Sequence, residues 1–280
     1  MPVLLMTVWL TGCVQEELGS TPSPTGNGIR FTLTVPDVNL PSVSSRTMTG
    51  TGTAKKEDEI ETVDILVFDM SKTPAVFLEW VSATGVTQDL ADNSTVSFSA
   101  VLSPTTASTC IVVVANKELD NIVPGFIKGT TTKVEAMEKM LHAQTGKWLA
   151  DGSTTDGYTR IPMYGEKVIS KITPSMDPIT GINMKRMLAR IDIRNNSATS
   201  NFTVEEVYLA NYNTTGYIAP AWNTNGQVTD PAPDTPVLPV NSGKMTEEGD
   251  AILYSVNGNT PYEGEIYTFE SLAAEDAGGA

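Results

Sequence analysis

The chain has 280 residues, 40% of them hydrophobic, which is enough for one large domain or two ordinary ones. Its formal charge is −15, from 33 acidic residues against 18 Lys and Arg. A nucleic-acid binder or a polybasic membrane binder needs Lys and Arg to displace counterions, so the balance argues against both. Negative charge of this size instead keeps an exported protein soluble.

In chain order, Val3 to Leu10 (VLLMTVWL) is an apolar stretch too short to span a bilayer, which takes about 20 residues. Leu10-Thr11-Gly12-Cys13 follows and resembles the lipobox of bacterial lipoproteins, an aliphatic residue and two small ones before the acylated cysteine. Residues 1–12 then form a signal peptide, and Cys13 carries the lipid. No Lys or Arg precedes the apolar stretch, which a start codon assigned too far downstream explains. Gln15-Glu16-Glu17 resembles the acidic export signal of Bacteroidetes surface lipoproteins. Residues 13–28 read as a tether, because the Pro, Gly, Ser and Thr of Gly19 to Gly28 bury no apolar surface. The second cysteine, Cys110, lies in an apolar run and reads as a small core residue; a Cys13–Cys110 disulfide is the other use open to the pair.

Ile29 to Val35 (IRFTLTV) alternates strictly, placing Ile29, Phe31, Leu33 and Val35 on one face of a half-buried strand. A Gly/Thr-rich loop carries Arg46. Strands are expected at Ile60–Asp69, Ala75–Val81 and Thr95–Leu102. Cys110–Ala115 is a continuous apolar run, as in a central strand covered on both faces. Thr132-Lys133-Val134-Glu135 has capping-box spacing and opens a helix. Its stripe is Val134, Met137, Met140 and Leu141, it carries His142, and Gly146 ends it. Tyr158–Lys167 is extended with a turn at Gly165, and Val168–Ile172 is a further strand. The domain boundary is expected near residue 180, giving a sandwich over 29–180 and a second over 181–280. Met184–Arg194 reads as one strand with Met187, Ala189, Ile191 and Ile193 aligned. Phe202–Asn211, Ala251–Val256 and Glu265–Phe269 complete the set, separated by turns as in β-sandwiches. Ser271–Ala280 is small and acidic, so the second domain reads as incomplete.

The residues that carry chemistry form no organised pattern. His142 is the one histidine, no Gly-x-Ser-x-Gly or phosphate loop occurs, and no Cys/His spacing suits zinc. Adjacent carboxylates such as Glu205-Glu206 point to opposite faces of a strand or lie in solvated loops, unlike a glycosidase pair. No catalytic residue, metal or cofactor is expected.

The ordered set of segments resembles the fimbrillins of Bacteroidetes, the subunits of type V pili. It comprises the lipobox at Cys13, Glu61-Thr62-Val63-Asp64-Ile65-Leu66-Val67-Phe68-Asp69, and Val112-Val113-Val114-Ala115-Asn116 with its helix. Ile161-Pro162-Met163-Tyr164-Gly165, Met187 to Ile193 and Phe202 to Asn211 extend it. The resemblance implies an all-β fold of two transthyretin-like sandwiches on an outer-membrane lipoprotein. It further implies a trypsin-like protease that cuts after Arg46 and removes Ile29, Phe31, Leu33 and Val35 as an edge strand. A neighbouring subunit's strand then fills the vacated groove, and the head-to-tail contact propagates a filament. Anchor subunits of the family keep their lipid uncut. The alternative is a surface lipoprotein that captures glycans, with Trp80, Trp148 and Trp222 as aromatic platforms.

Overall fold

The computed structural model describes residues 29–34, 58–88, 95–144, 146–148, 159–193, 204–229, 237–240, 242, 251–255 and 262–271. The first half supplies β1 (Ile29–Thr34), β2 (Val63–Asp69), β3 (Val76–Ser82), β4 (Thr84–Gln88), β5 (Thr95–Ala100) and β6 (Thr109–Ala115). Helix α1 (Lys133–Lys139) is followed by β7 (Leu141–Ala143), β8 (Met163–Ile169), β9 (Ile179–Asn183) and β10 (Lys185–Arg186). The remainder comprises β11 (Ala189–Ile193), β12 (Glu206–Leu209), β13 (Thr215–Tyr217), β14 (Ile252–Ser255) and β15 (Tyr262–Thr268). The fold is all-β with a single α-helix among the described residues.

Two sheets carry the architecture, one of four strands in the order β4-β5-β1-β9 and one of five in the order β10-β8-β6-β2-β3. The five-stranded sheet is the middle layer. Ile65, Val67, Ile111 and Val113 face the four-stranded sheet and pack with Phe31, Leu33, Val96, Phe98, Ile179 and Ile182. Leu66, Phe68, Val112 and Val114 face the other way, against Met137 and Met140 and against Ile218, Tyr267 and Phe269 from the end of the chain. That double cover is why β6 is buried at every position, as its unbroken apolar run foretold. The four-stranded sheet buries one face only, so its strands alternate. Two-stranded ladders β11-β15, β12-β14 and β13-β7 complete the fold, with a small core of Tyr212, Ile252, Tyr254 and Ile266.

Several expectations need correction. Strand β1 is no edge: it pairs antiparallel with β5 over Ile29↔Ala100 to Thr34↔Thr95, and parallel with β9 at Phe31↔Ile179 and Leu33↔Ile182. The helix begins on its capping box, with Glu135 N–H bonded to Thr132 Oγ1 and Thr132 N–H to the Glu135 carboxylate. It stops at Lys139, however, because β13 pairs with Leu141–Ala143 and Ile218 N–H takes the carbonyl of Met140. His142 therefore lies on a strand. The buried helix face is Lys133, Ala136 and Met137, so a lysine replaces Val134 in the expected stripe. Met184–Arg194 is two strands, since the chain leaves β8 after Arg186 and joins β15 from Ala189. The change of partner resets the alternation and leaves Ile191 39% exposed.

Gly165 is not a turn but lies within β8. A Cβ there would stand 2.8 Å from Ile182 Cγ2, 2.7 Å from Met184 Sδ and 3.1 Å from the Asn183 carbonyl. The bare backbone lets the corner between β9 and β10 close onto β8. Gly165→Ala is expected to lower unfolding stability by about 1–3 kcal/mol through overpacking, read as a lower urea midpoint.

Candidate functional site

Among the described residues no group of three or more His, Cys, Asp or Glu is placed to hold a metal ion. The candidate features are β1, singled out by the sequence, and the contacts that hold its surroundings. Ile29, Phe31 and Leu33 point inward and are 5%, 1% and 0% exposed. Phe31 stacks flat on its register partner Phe98, with centroids 5.0 Å apart and planes 7° from parallel. Met184 N–H donates to the Thr34 carbonyl at 2.8 Å, so the last residue of β1 is held from the β9 side as well. Arg30 and the hydroxyls of Thr32 and Thr34 alternate with these and face outward, so the strand is amphipathic as the sequence implied. Val35, Cys13 and Arg46 lie outside the described residues.

Residues 58–61 are clasped to the fold. Ile60 N–H donates to Gln88 Oε1 at 3.1 Å, and Gln88 Nε2 donates to the Asp58 carbonyl at 2.7 Å. Arg186 pairs with Asp58, and the Arg160 guanidinium lies 3.1 Å from Glu59 and 2.7 Å from Glu61. Asn116, left-handed at φ 58°, accepts from Glu61 N–H and donates to the carbonyls of Glu59 and Ile161. Asn is among the few non-glycine residues that adopt this conformation readily, and here its amide is spent on three backbone groups distant in sequence. Both flanks of the segment that contains Arg46 are thus fastened to the fold, one by β1's ladders and one by this clasp.

A buried ionic cluster has no forerunner in the sequence pattern. The Lys133 ammonium is 1% exposed, 2.6 Å from the Glu166 carboxylate, and donates to the Gly226 carbonyl. Tyr164 Oη–H donates to the same carboxylate at 2.6 Å, and Val228 N–H reaches its other oxygen at 3.3 Å. The cluster joins α1, β8 and the 223–228 turn. Burial, reinforced by the Glu166 charge, holds the Tyr164 phenol well above its usual range. Burial pushes the nearby Cys110 thiol up to about 12, so it stays protonated; it is a free cysteine.

Three other polar groups are structural. Asp64 is buried in β2, and burial raises its carboxyl although Ser82 Oγ and Trp80 Nε1 donate to it at 2.7 and 3.0 Å. Trp148 is 2% exposed and donates to the Thr159 carbonyl, while Trp222 packs edge-on to Tyr217. Trp148 is therefore core, and Trp80 and Trp222 lean on the same core rather than standing free. His142 sits 4.9 Å from the Trp148 ring, and burial, with the nearby Lys117 charge, lowers it from 6.5 to about 4. A folded pKa below the unfolded value means the unfolded chain binds the extra proton between those limits. Stability from His142 is therefore complete above pH 6.5 and lost as pH falls toward 4. His142→Phe keeps a ring against Trp148, and its urea midpoint is expected to fall less than wild type's between pH 6.5 and 4.5.

Comparison with known sequences decides the family. A model of the fimbrillin-A associated anchor proteins Mfa1 and Mfa2 matches residues 23–275. The chain belongs to this family. It is a fimbrial family, and membership ties the chain to the cell-surface fimbrium and to other fimbrial subunits. None of the curated proteins matches. Among solved structures, a fimbrial assembly protein from Parabacteroides distasonis is 11% identical, covering 87% of this chain and 77% of its own, at a TM-score of 0.45. A protein assigned to cell adhesion from the same species is 17% identical over 90% and 73%, at 0.47. One assigned to polysaccharide binding from Bacteroides thetaiotaomicron is 12% identical over 72% and 62%, at 0.34. The family assignment rests on the sequence match. Among the described residues no helix is long and apolar enough to cross a membrane.

Proposed function

We propose that this chain is a lipid-anchored fimbrial subunit held at the outer membrane through Cys13, with β1 retained as the joint between tether and fold. The observation that supports this most is the place of β1 inside its sheet. A load on the fimbrium passes to the lipid through whichever element follows the tether. An interior strand resists it with two ladders and three buried apolar side chains, each contributing about 1.5–3 kcal/mol. Acyl chains add about 0.8 kcal/mol per buried CH₂, so two or three chains match such a joint. The division into two sandwich domains expected near residue 180 stays part of this reading, and the pairing of β9 and β10 with β1 and β8 supports counting both strands with the first domain.

A second reading keeps the maturation implied by the fimbrillin resemblance. A trypsin-like protease cuts after Arg46, β1 leaves, and a neighbouring subunit's strand enters between β5 and β9. The feature favouring it is that such a slot offers unpaired backbone on both walls, a better receptor for strand addition than a single edge. Mass analysis of the mature protein from cells separates the two. Acylated Cys13 on a chain continuous through Arg46 is the expected result. A mature N-terminus at Thr47, with laddered oligomers, would replace it by strand exchange, and an unacylated Cys13 would remove the anchor altogether.

A further inference from the structure

The direction of β1 fixes the end of the two main sheets at which the chain enters them. Ile29 pairs with Ala100, and Phe31 lies beside Ile179 at the start of β9. The loops 70–75, 101–108 and 170–178 meet at that end and are stitched together. Met70 N–H donates to the Ser108 carbonyl at 2.8 Å, and Thr105 N–H to the Ile172 carbonyl at 3.0 Å. Ile172 N–H in turn donates to Thr105 Oγ1 at 2.8 Å. Their charged residues are Lys72, Lys171 and Asp177, all exposed, on loops dominated by Ser, Thr, Pro and Ala, and Asp69, Glu79 and Lys128 border them, so charge at this end is balanced. Val101 stands out from them, 63% exposed. The opposite end differs sharply. Around the clasp and the residues after Asn116 it carries Asp58, Glu59, Glu61, Glu118 and Asp120 against Lys117, Arg160 and Arg186.

We infer that the Ile29 end is the surface turned to the lipid bilayer, with Val101, Lys72 and Lys171 nearest the headgroups. The inference rests on the lipid-anchor reading above and adds an orientation to it. A Gly/Ser-rich tether of the length of residues 13–28, as the sequence reads, would have a root-mean-square reach of about 20–25 Å. Charges are screened over about 8 Å at physiological salt, so an anionic surface acts only on the end that comes closest. A chain of net charge −15 is repelled unless that end is the one where positive charge balances or exceeds negative. Each lysine near an anionic surface favours the approach by about fivefold. Two are too few to bind the membrane unaided but enough to orient a protein already tied to it.

The test holds the chain from residue 13, with Cys13→Ser, on nickel-chelating lipid through an N-terminal hexahistidine tag, so it does not depend on acylation. Vesicles contain phosphatidylglycerol and a nitroxide-labelled lipid. An environment-sensitive dye is placed at Val101→Cys or at Glu118→Cys; both sites are exposed, and buried Cys110 stays unlabelled. Strong quenching at 101 with little at 118 is expected, and Lys72→Glu with Lys171→Glu should reduce the quenching at 101. Equal quenching at both sites, or more at 118, overturns the orientation. Because acylation is read separately, by mass on the protein from cells, failure of either reading leaves the other measurement standing.

Discussion

Removing one member of the buried Lys133–Glu166 pair is expected to destabilise the chain by about 3–5 kcal/mol, among the largest effects of any single polar substitution here. The reason is not that the pair contributes so much when intact. Two charges taken out of water recover little beyond their desolvation cost, but one left behind has nothing to offset it. Glu166→Met strands an ammonium that is 1% exposed, leaving it the Gly226 carbonyl. It also strands the Tyr164 hydroxyl and Val228 N–H, which lose their acceptor. Lys133→Met leaves Glu166, whose side chain is 20% exposed, with two donors and partial access to water, so its cost belongs at the lower end. The double variant Lys133→Met/Glu166→Met should be more stable than Glu166→Met alone, a sign that distinguishes a stranded charge from lost packing. Urea midpoints of the three variants check this. Since the cluster fastens the 223–228 turn, Trp222 emission should shift to the red in Glu166→Met before global unfolding. An unchanged Trp222 spectrum would mean that the turn is held by other contacts.

The parts of this fold that can be read from the sequence are those whose local pattern and tertiary environment agree. The run Cys110–Ala115 is apolar throughout because sheet neighbours cover both its faces, and β1 alternates because only one of its faces is covered. The start of α1 is legible because a capping box is closed within four residues. Its end is not, because the competing partner is β13, which lies far along the chain and contributes only Thr215 to Tyr217. Lys133 misleads for a related reason. A lysine just after an N-cap normally faces solvent, and only the distant Glu166 and Gly226 make its burial tolerable. The interior position of β1 is hidden in β9, whose Ile-Thr-Gly-Ile-Asn carries two apolar residues and a glycine at φ 71°, a weak strand signal. The sequence places His142, the one histidine, on the helix, but it packs instead against Trp148 from β7.

The hold of β1 on the fold can be measured directly through Phe31. Phe31→Ala is expected to cost about 3–5 kcal/mol, from lost transfer energy and from a cavity that the stacked Phe98 cannot refill without leaving its own place. Leu33→Ala, at a position with no exposure, should cost about 2–5 kcal/mol, whereas outward-facing Arg30→Ala should stay within about 0.5 kcal/mol. The same energies govern the fate of a chain cut between Thr34 and Asp58. The clasp keeps Asp58–Glu61 in place, so a nicked chain retains the rest of its sandwich while β1 is held only by its ladders and side chains. At about 1.4 kcal/mol per tenfold, the Phe31 loss corresponds to roughly two to three and a half powers of ten in β1 affinity. Limited trypsin treatment and then gel filtration read this out. Nicked wild type should elute with its β1 peptide, and nicked Phe31→Ala should shed it. If nicked wild type releases the peptide just as readily, β1 is a departing strand and not a joint. The fimbrial subunit would then be an acceptor awaiting its neighbour's strand rather than the fixed end of the filament.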